Sequence, residues 1–533
     1  MGRAATVLPA APPANPILDA PAPNTGITLL DAFGAGVDQP APRPPDVISV
    51  DHRKQLLADD WIVESSEGLT RVMHPVTKAS IHPVLGPEEP WEKPAVLLYG
   101  TVFHDPQRTH DKFRMWYLCF TPTWNVDYSK VGDKRSGCVA YATSEDGIRW
   151  VRPRLGLHTF QGNRETNIVI PGAYGFAGVI HDPRDPNPGR RYKAQARTAR
   201  GHEAFLSADG IHWGQGERMN VDGYDRSSVH WDPTRELWIA STKSWYRETP
   251  GGTLWRGRGY QESRSFVEWP VKASFMVGTP VAGSDIVYGL EMFYYESLFL
   301  GSWGRYRHEP DGLLDVQLAV SRNARDWSRP SAESWITLSP LPPNFVRRKI
   351  PRTPDTGVDP LDPRVPWDYG NNSVNSVGPV RVGDELWVYY SGRSSDHRSN
   401  PQTGAIGLGK LRLDGFFSLD AGEKTGRLLT RPLRLANDVL KLNADASGGE
   451  VRVEIVDRDG RPVPPFTLAN CDPITSDGLR APVTWKGKAD LGAVRGRVVQ
   501  LRIFLRNARL FAFWTGDELI WSTPDTATWS RSE

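Results

Sequence analysis

The heptapeptide SEDGIRW at Ser144–Trp150 returns almost unchanged as SADGIHW at Ser207–Trp213, and more faintly as SRSFVEW at Ser263–Trp269 and SRNARDW at Ser321–Trp327. Successive copies start 63, 56 and 58 residues apart. A period of that size confines a chain to architectures that repeat one supersecondary unit. Around each copy lie the same short segments. The first unit reads YGTVFHDP, KFRMWYLCF, GCVAYATSEDG and IRWVRP; the second reads AGVIHDP, RRYKAQART, HEAFLSADG and IHW. Two further units follow, and a fifth without the tag reads SVGPVRVGD, ELWVYYSG, AIGLGKLRL and GFFSL. Each segment has the length and the β-branched or aromatic content of a strand, and each is bounded by Gly, Asp, Asn or Pro.

Four strands repeated five times predict an all-β fold, a five-bladed β-propeller over residues 48–420. The 50 glycines, 45 prolines and 20 tryptophans agree with it, because long helices tolerate Gly and Pro poorly. After residue 420 the tag stops, but alternating apolar segments continue around Asp459-Gly460, so residues 421–533 are expected to form a β-sandwich. Residues 1–47, rich in Ala and Pro, are expected to be a disordered arm.

The tag itself is mechanical. Ser, Asp and Gly build a turn, the Trp packs between units, and a catalytic group would not recur in every repeat. Asp105, Asp182 and Asp232, in HDP, HDP and WDP, repeat in the same manner and are assigned to turns.

The F-R-M-W-Y strand at Phe113–Tyr117, the tag repeats and the terminal sandwich together resemble glycoside hydrolase family 32 and the wider group of five-bladed glycosidases that includes families 43 and 68. The resemblance implies a sugar-cleaving propeller. Its signature trio is not matched. Leu97 or Leu98 falls where the W-M-N-D-P-N-G nucleophile would stand, and Arg184-Asp185-Pro186 lies in a turn after its strand.

Propeller ligands gather where the innermost strands begin, so the residues that differ between units there are the candidates. A tyrosine recurs at that point as Tyr99, Tyr174, Tyr224, Tyr288 and Tyr369, usually followed by Gly. Around these lie Trp91, Glu92, Asn167, Asp222, Asp225, Arg226, Asp285, Glu291, Asp368, Asn371 and Asn372. Glycoside hydrolysis needs one protonated carboxyl and one ionised carboxylate facing each other across the scissile bond. Asp225, Glu291 and Glu92 are the catalytic candidates. Trp91, Tyr99, Tyr174, Arg226, Asp285, Tyr288, Asp368, Tyr369, Asn371 and Asn372 are the substrate-binding candidates. The irregular segment from Leu338 to Asp368 is expected to overhang the site.

Exclusions narrow the field. A formal charge of +2, from 64 basic and 62 acidic residues, gives no case for nucleic acid, and no apolar run reaches membrane-spanning length. Three cysteines are too few for a disulfide framework and lack metal-ligand spacing. GAIGLGKL at Gly404–Leu411 lacks the hydroxyl of a phosphate loop and reads as a strand. The expected function is hydrolysis of a small glycoside or oligosaccharide, such as a fructoside or other furanoside, without cofactor or metal and in the cytoplasm. A non-catalytic carbohydrate-binding propeller and a sialidase-like hydrolase are the alternatives; five units rather than six weigh against the latter.

Overall fold

The computed structural model describes residues 42–120, 137–223, 227–247, 255–270, 272–278, 285–307, 311–347, 357–374, 378–397, 399 and 403–521, with strands Leu29–Asp31 and Trp529–Arg531. The chain is all-β. Helical structure among the described residues is limited to three-residue 3₁₀ turns at Pro90–Glu92, Pro188–Arg190 and Leu468–Asn470.

From Ala95 onward the strands run as consecutive antiparallel meanders. The first comprises Ala95–His104, Phe113–Phe120, Gly137–Ser144 and Ile168–Pro171, the second Gly175–His181, Tyr192–Thr198, Gly201–Ser207 and Glu217–Arg218. The third comprises Ser228–Asp232, Leu237–Arg247, Trp255–Ser263 and Ser274–Gly278. Asp285–Tyr295, Leu298–Arg307 and Leu314–Ser321 form the fourth, which one parallel pair, Leu314 with Asn371, joins to the fifth. In the fifth, Asn371–Val374 and Val380–Val382 share the partner Glu385–Arg393, followed by Ala405–Arg412. Its outermost strand is Thr77–Lys78, which precedes the first meander in sequence.

The first strands of the first four meanders stand next to one another in chain order, Asn371–Val374 adjoins Leu298–Arg307 and Leu314–Ser321 of the fourth, and Asn371–Val374 and Glu385–Arg393 return to Ala95–His104. Direct bonds tie neighbours together. Thr101 Oγ1 both donates to the Val179 carbonyl and accepts its amide, each at 2.9 Å, and the Leu98 amide donates to Ser391 Oγ at 2.7 Å.

The tags sit between the third strand and the outer edge, where they receive side chains from the preceding meander. Ser144 Oγ accepts the Gly147 amide at 2.8 Å, and Asp146 Oδ1 accepts the amides of Ile148 and Arg149 at 2.9 and 2.8 Å. Ser207 and Asp209 repeat this around Gly210. Tyr389 of the fifth meander donates to the Gly147 carbonyl, and Trp116 of the first donates to that of Gly210. Gly210 has φ +78°, and a Cβ there would stand 2.8 Å from the Trp116 ring, so glycine is required twice over. In the fourth copy Asn323 takes the place of Asp and Ala324 takes φ +60°.

Two six-stranded sheets pack behind the meanders. Their central strands, Val498–Arg506 and Ala508–Thr515, are joined at Asn507. Here the structure departs from the expected boundary at residue 48. Ile48–Val50 and Val63–Glu67 pair in one of these sheets, Gln55–Leu56 and Thr70–Met73 in the other. The reason is burial: Val50, Leu57, Ile62 and Val63 complete the apolar core of Leu428, Val453, Leu501 and Phe513. The arm expected over residues 1–47 lies outside the described residues apart from its last six and Leu29–Asp31, which pairs in parallel with Trp245–Arg247.

Lys54 joins the two parts of the molecule. Fully buried, its Nζ lies 2.9 Å from Asp414, 3.0 Å from Glu518 and 3.8 Å from Glu296, while its amide donates to Glu296 Oε2 at 2.9 Å. Tyr295 and Asn443 also donate to Asp414, and Arg381 and Arg480 close on Glu518. Isolated ions at this depth would be costly; the network supplies each with a partner.

Candidate active site

Trp91 and Glu92, expected to face the central depression, face inward instead. Glu92 has no exposed surface. Its Oε2 accepts the amides of Glu88 and Glu89 at 2.9 and 3.1 Å, and its Oε1 accepts Tyr117 Oη at 2.6 Å and Arg152 Nε at 2.7 Å. Those four bonds fill a carboxylate's acceptor positions. Burial, then the Glu92 charge, lifts the Tyr117 phenol well above its ordinary range. Trp91 Nε1 donates to Asn167 Oδ1 at 2.8 Å, and Asn167 donates on to Tyr117. The Pro90–Glu92 turn rotates both side chains into the first meander, a rotation that strand patterning does not encode.

In the fifth meander Asp368, 1% exposed, accepts Lys78 Nζ at 2.6 Å and Tyr390 Oη at 2.9 Å through Oδ2. It ties the outermost strand of that meander, through Lys78, to Glu385–Arg393, through Tyr390. Burial, then the Asp368 charge, raises the Tyr390 phenol far above its usual range. Asn372 donates to the Thr337 carbonyl at 3.0 Å, and Asn371 pairs with Arg393. Tyr369 packs with Leu313, Val358 and Val365, against which Leu338, Leu341 and Phe345 lie. The expected overhanging segment therefore packs its apolar side chains against Leu313 and Tyr369, and a 2.8 Å bond from Ser394 Oγ to the Pro360 carbonyl ties it to the fifth meander. Residues 348–356 within it are outside the described set.

Bulges place the recurrent tyrosines. The register shifts between Leu97 and Thr101 and again between Val287 and Gly289, so Tyr99 and Tyr288 lie in irregularities of the first strands and not ahead of them. A bulge re-aims a side chain relative to its neighbours. Tyr174, ahead of the second meander, is buried beneath Arg197, whose guanidinium lies 5.5 Å from the ring centre.

Third, fourth and fifth meanders converge at Tyr288. Arg256 lies over its ring at 4.3 Å and donates to its carbonyl at 2.8 Å. His397 meets Tyr288 and Tyr306 edge-on at 4.9 and 4.8 Å. On the same strands Arg305 forks onto Asp315 at 2.9 and 2.6 Å, and Asp285, partly exposed, pairs with Arg307. Glu291, 5% exposed, lies opposite Ser302 further along the same first strand. Buried Lys243 and Arg258 are directly opposed on the adjoining strands of the third meander, where Arg258 donates to the Ser241 carbonyl at 2.7 Å.

Tyr224, Asp225 and Arg226 lie outside the described residues. Their flanks are placed: Ser227 Oγ accepts the Lys243 amide at 3.1 Å, and Gly223 abuts Thr242. Sequence reasoning missed Lys243, Arg256, Arg258, Tyr306 and His397. The RGRGYQES strand was the available signal, because alternation puts Arg256 and Arg258 on one face with Gly257 between them.

Among the described residues no group of three or more His, Cys, Asp or Glu side chains could hold a metal ion, and no helix is long and apolar enough to cross a membrane. No known protein-family model matches the chain, and neither does any curated protein sequence. Similar solved structures include a glycosyl hydrolase from Bacteroides ovatus, at 11% identity and TM-score 0.39 over 68% of this chain and 97% of that one. The Bombyx mori GH32 beta-fructofuranosidase BmSUC1 is 8% identical, with TM-score 0.35 over 82% of this chain and 94% of its own. An N-acetylgalactosamine deacetylase from F. plautii is 12% identical, with TM-score 0.38 over 66% of this chain and 97% of its own. Likeness at that level leaves function to be read from the chain's own residues.

Proposed function

We propose that the protein is a glycoside hydrolase, a five-bladed β-propeller backed by a β-sandwich, that cleaves a small glycoside or oligosaccharide at the start of its innermost strands. A furanoside such as a fructoside is the first substrate to test. The observation that carries this reading is the convergence on Tyr288 of Arg256, Tyr306 and His397 from three meanders, with the carboxyl groups of Asp285 and Glu291 on the same first strand. Sugar rings offer apolar C–H faces to aromatic rings and hydroxyls to charged groups. Glu291, 5% exposed and opposite Ser302 on a first strand, is the proposed acid to the leaving oxygen. Asp225, two residues from the anchored Ser227, is the proposed nucleophile or base. Arg226, Asp285, Tyr99, Tyr174, Asn371 and Asn372 are proposed to line the sugar site. Glu92, Trp91 and Asp368, engaged internally, are proposed to support the scaffold.

That internal engagement favours one other reading, a carbohydrate-binding propeller without turnover. The discriminating experiment is hydrolysis of aryl glycosides and oligosaccharides, fructosides and arabinosides included, by wild type, Asp225→Asn and Glu291→Gln. Turnover abolished in folded variants supports the hydrolase. Binding without turnover in the wild type replaces it with the lectin-like alternative.

A further inference from the structure

Cys119 and Cys138 are direct partners in the antiparallel pairing of Phe113–Phe120 with Gly137–Ser144, one position from the last pair, Phe120 with Gly137. They close the root of the connection spanning residues 121–136. Both are free thiols, 0% and 3% exposed. Directly opposed residues on antiparallel strands have Cα atoms about 4.5–5.5 Å apart. That spacing lies inside the roughly 4.4–6.8 Å that a disulfide bridges. Cys471 is remote from them in the C-terminal sheets, where its Sγ accepts the Val453 amide at 3.2 Å.

We propose that Cys119 and Cys138 form a disulfide that staples this hairpin root beside the start of the first meander. The surroundings give the bond a place to act: Ala95 and Val96 pair with Phe120 and Cys119, and the Arg393 guanidinium lies 5.8 Å from the Phe120 ring. The oxidant is a low-molecular-weight disulfide. The Cys138 thiolate attacks one of its sulfurs and expels one thiolate, giving a mixed disulfide. Cys119, deprotonated, then attacks the Cys138 sulfur and expels the second. Two protons and two electrons leave the protein, and the oxidant becomes two thiols. Burial holds the Cys119 thiol well above its ordinary range, so exchange proceeds while the hairpin is open, during folding or local fraying.

The test is to refold the full-length protein from urea in mixed reduced and oxidised glutathione, then quench with acid and count thiols under denaturing conditions. The expected result is one remaining thiol of three, a mass lower by two hydrogens, and a cross-linked peptide joining Cys119 to Cys138 that dithiothreitol releases. Three surviving thiols, glutathione adducts in place of the cross-link, or a cross-link to Cys471 would each overturn the proposal. Cys119→Ser serves as control: it must leave Cys138 as a free thiol or a glutathione adduct, and cross-linking to Cys471 in that variant also counts against the pairing.

Discussion

Glu296 is the most informative residue to perturb in the network that joins the meanders to the C-terminal sheets. Burial raises its carboxyl from 4.5 to about 7, with Lys54 opposing the shift and Asp414 adding to it. A carboxyl raised by roughly 2.5 units corresponds to about 3 kcal/mol at about 1.36 kcal/mol per unit. The sign follows from proton counting. Between pH 4.5 and 7 the folded protein holds a proton on Glu296 that the unfolded chain has released, so folding is favoured at low pH and that contribution fades as pH rises through 7. Glu518 in the same network, held down to about 2 against its burial by Lys54 and Arg381, titrates well below this window. Glu296→Gln keeps the shape and removes the titration. Urea unfolding of wild type and variant at half-unit steps from pH 4.5 to 8 should show the variant gaining about 3 kcal/mol relative to wild type across the series. A difference that stays flat, or falls, would refute an ionisation penalty at this position.

Replacing Lys54 by Met strands Asp414 and Glu518 without their shared cation, and should cost about 3–5 kcal/mol in urea unfolding at pH 7; a loss below about 1 kcal/mol would show that the arginines suffice. Gly210→Ala forces a Cβ against Trp116 at positive φ and should cost about 2 kcal/mol, read as a lowered urea midpoint. Glu92→Gln weakens the bond to Arg152 and should lower stability by about 1–3 kcal/mol while leaving kcat/KM of the folded fraction unchanged; a selective loss of kcat would return Glu92 to the catalytic set. Glu291→Gln should lower kcat at least about 100-fold with an unchanged circular dichroism spectrum.

The repeat made the meanders legible, because tag turns and strand alternation are local properties that each unit states again. Gly147 and Gly210 were readable as turn glycines, although not as seats for Tyr389 and Trp116 of a neighbouring meander. The site was less legible. Whether Glu92 faces solvent or Arg152 depends on one 3₁₀ turn, and whether Tyr288 meets Arg256 depends on a bulge. Ile48–Val50 looked like the start of the repeat because a short edge strand has the same alternation whichever sheet it joins. Its destination is set by strands nearly 400 residues downstream.

Thr77–Lys78 completes the fifth meander by pairing with Gly409 and Lys410. On the ribosome this strand emerges first and its partner more than 300 residues later. At about 5–20 residues per second the wait is roughly twenty seconds to a minute. Throughout it the strands between Ile48 and Met73 are also without their partners in the C-terminal sheets. The nascent chain thus carries apolar, unpaired edges for most of its synthesis, and a chain halted before residue 405 lacks the means to cover either of them.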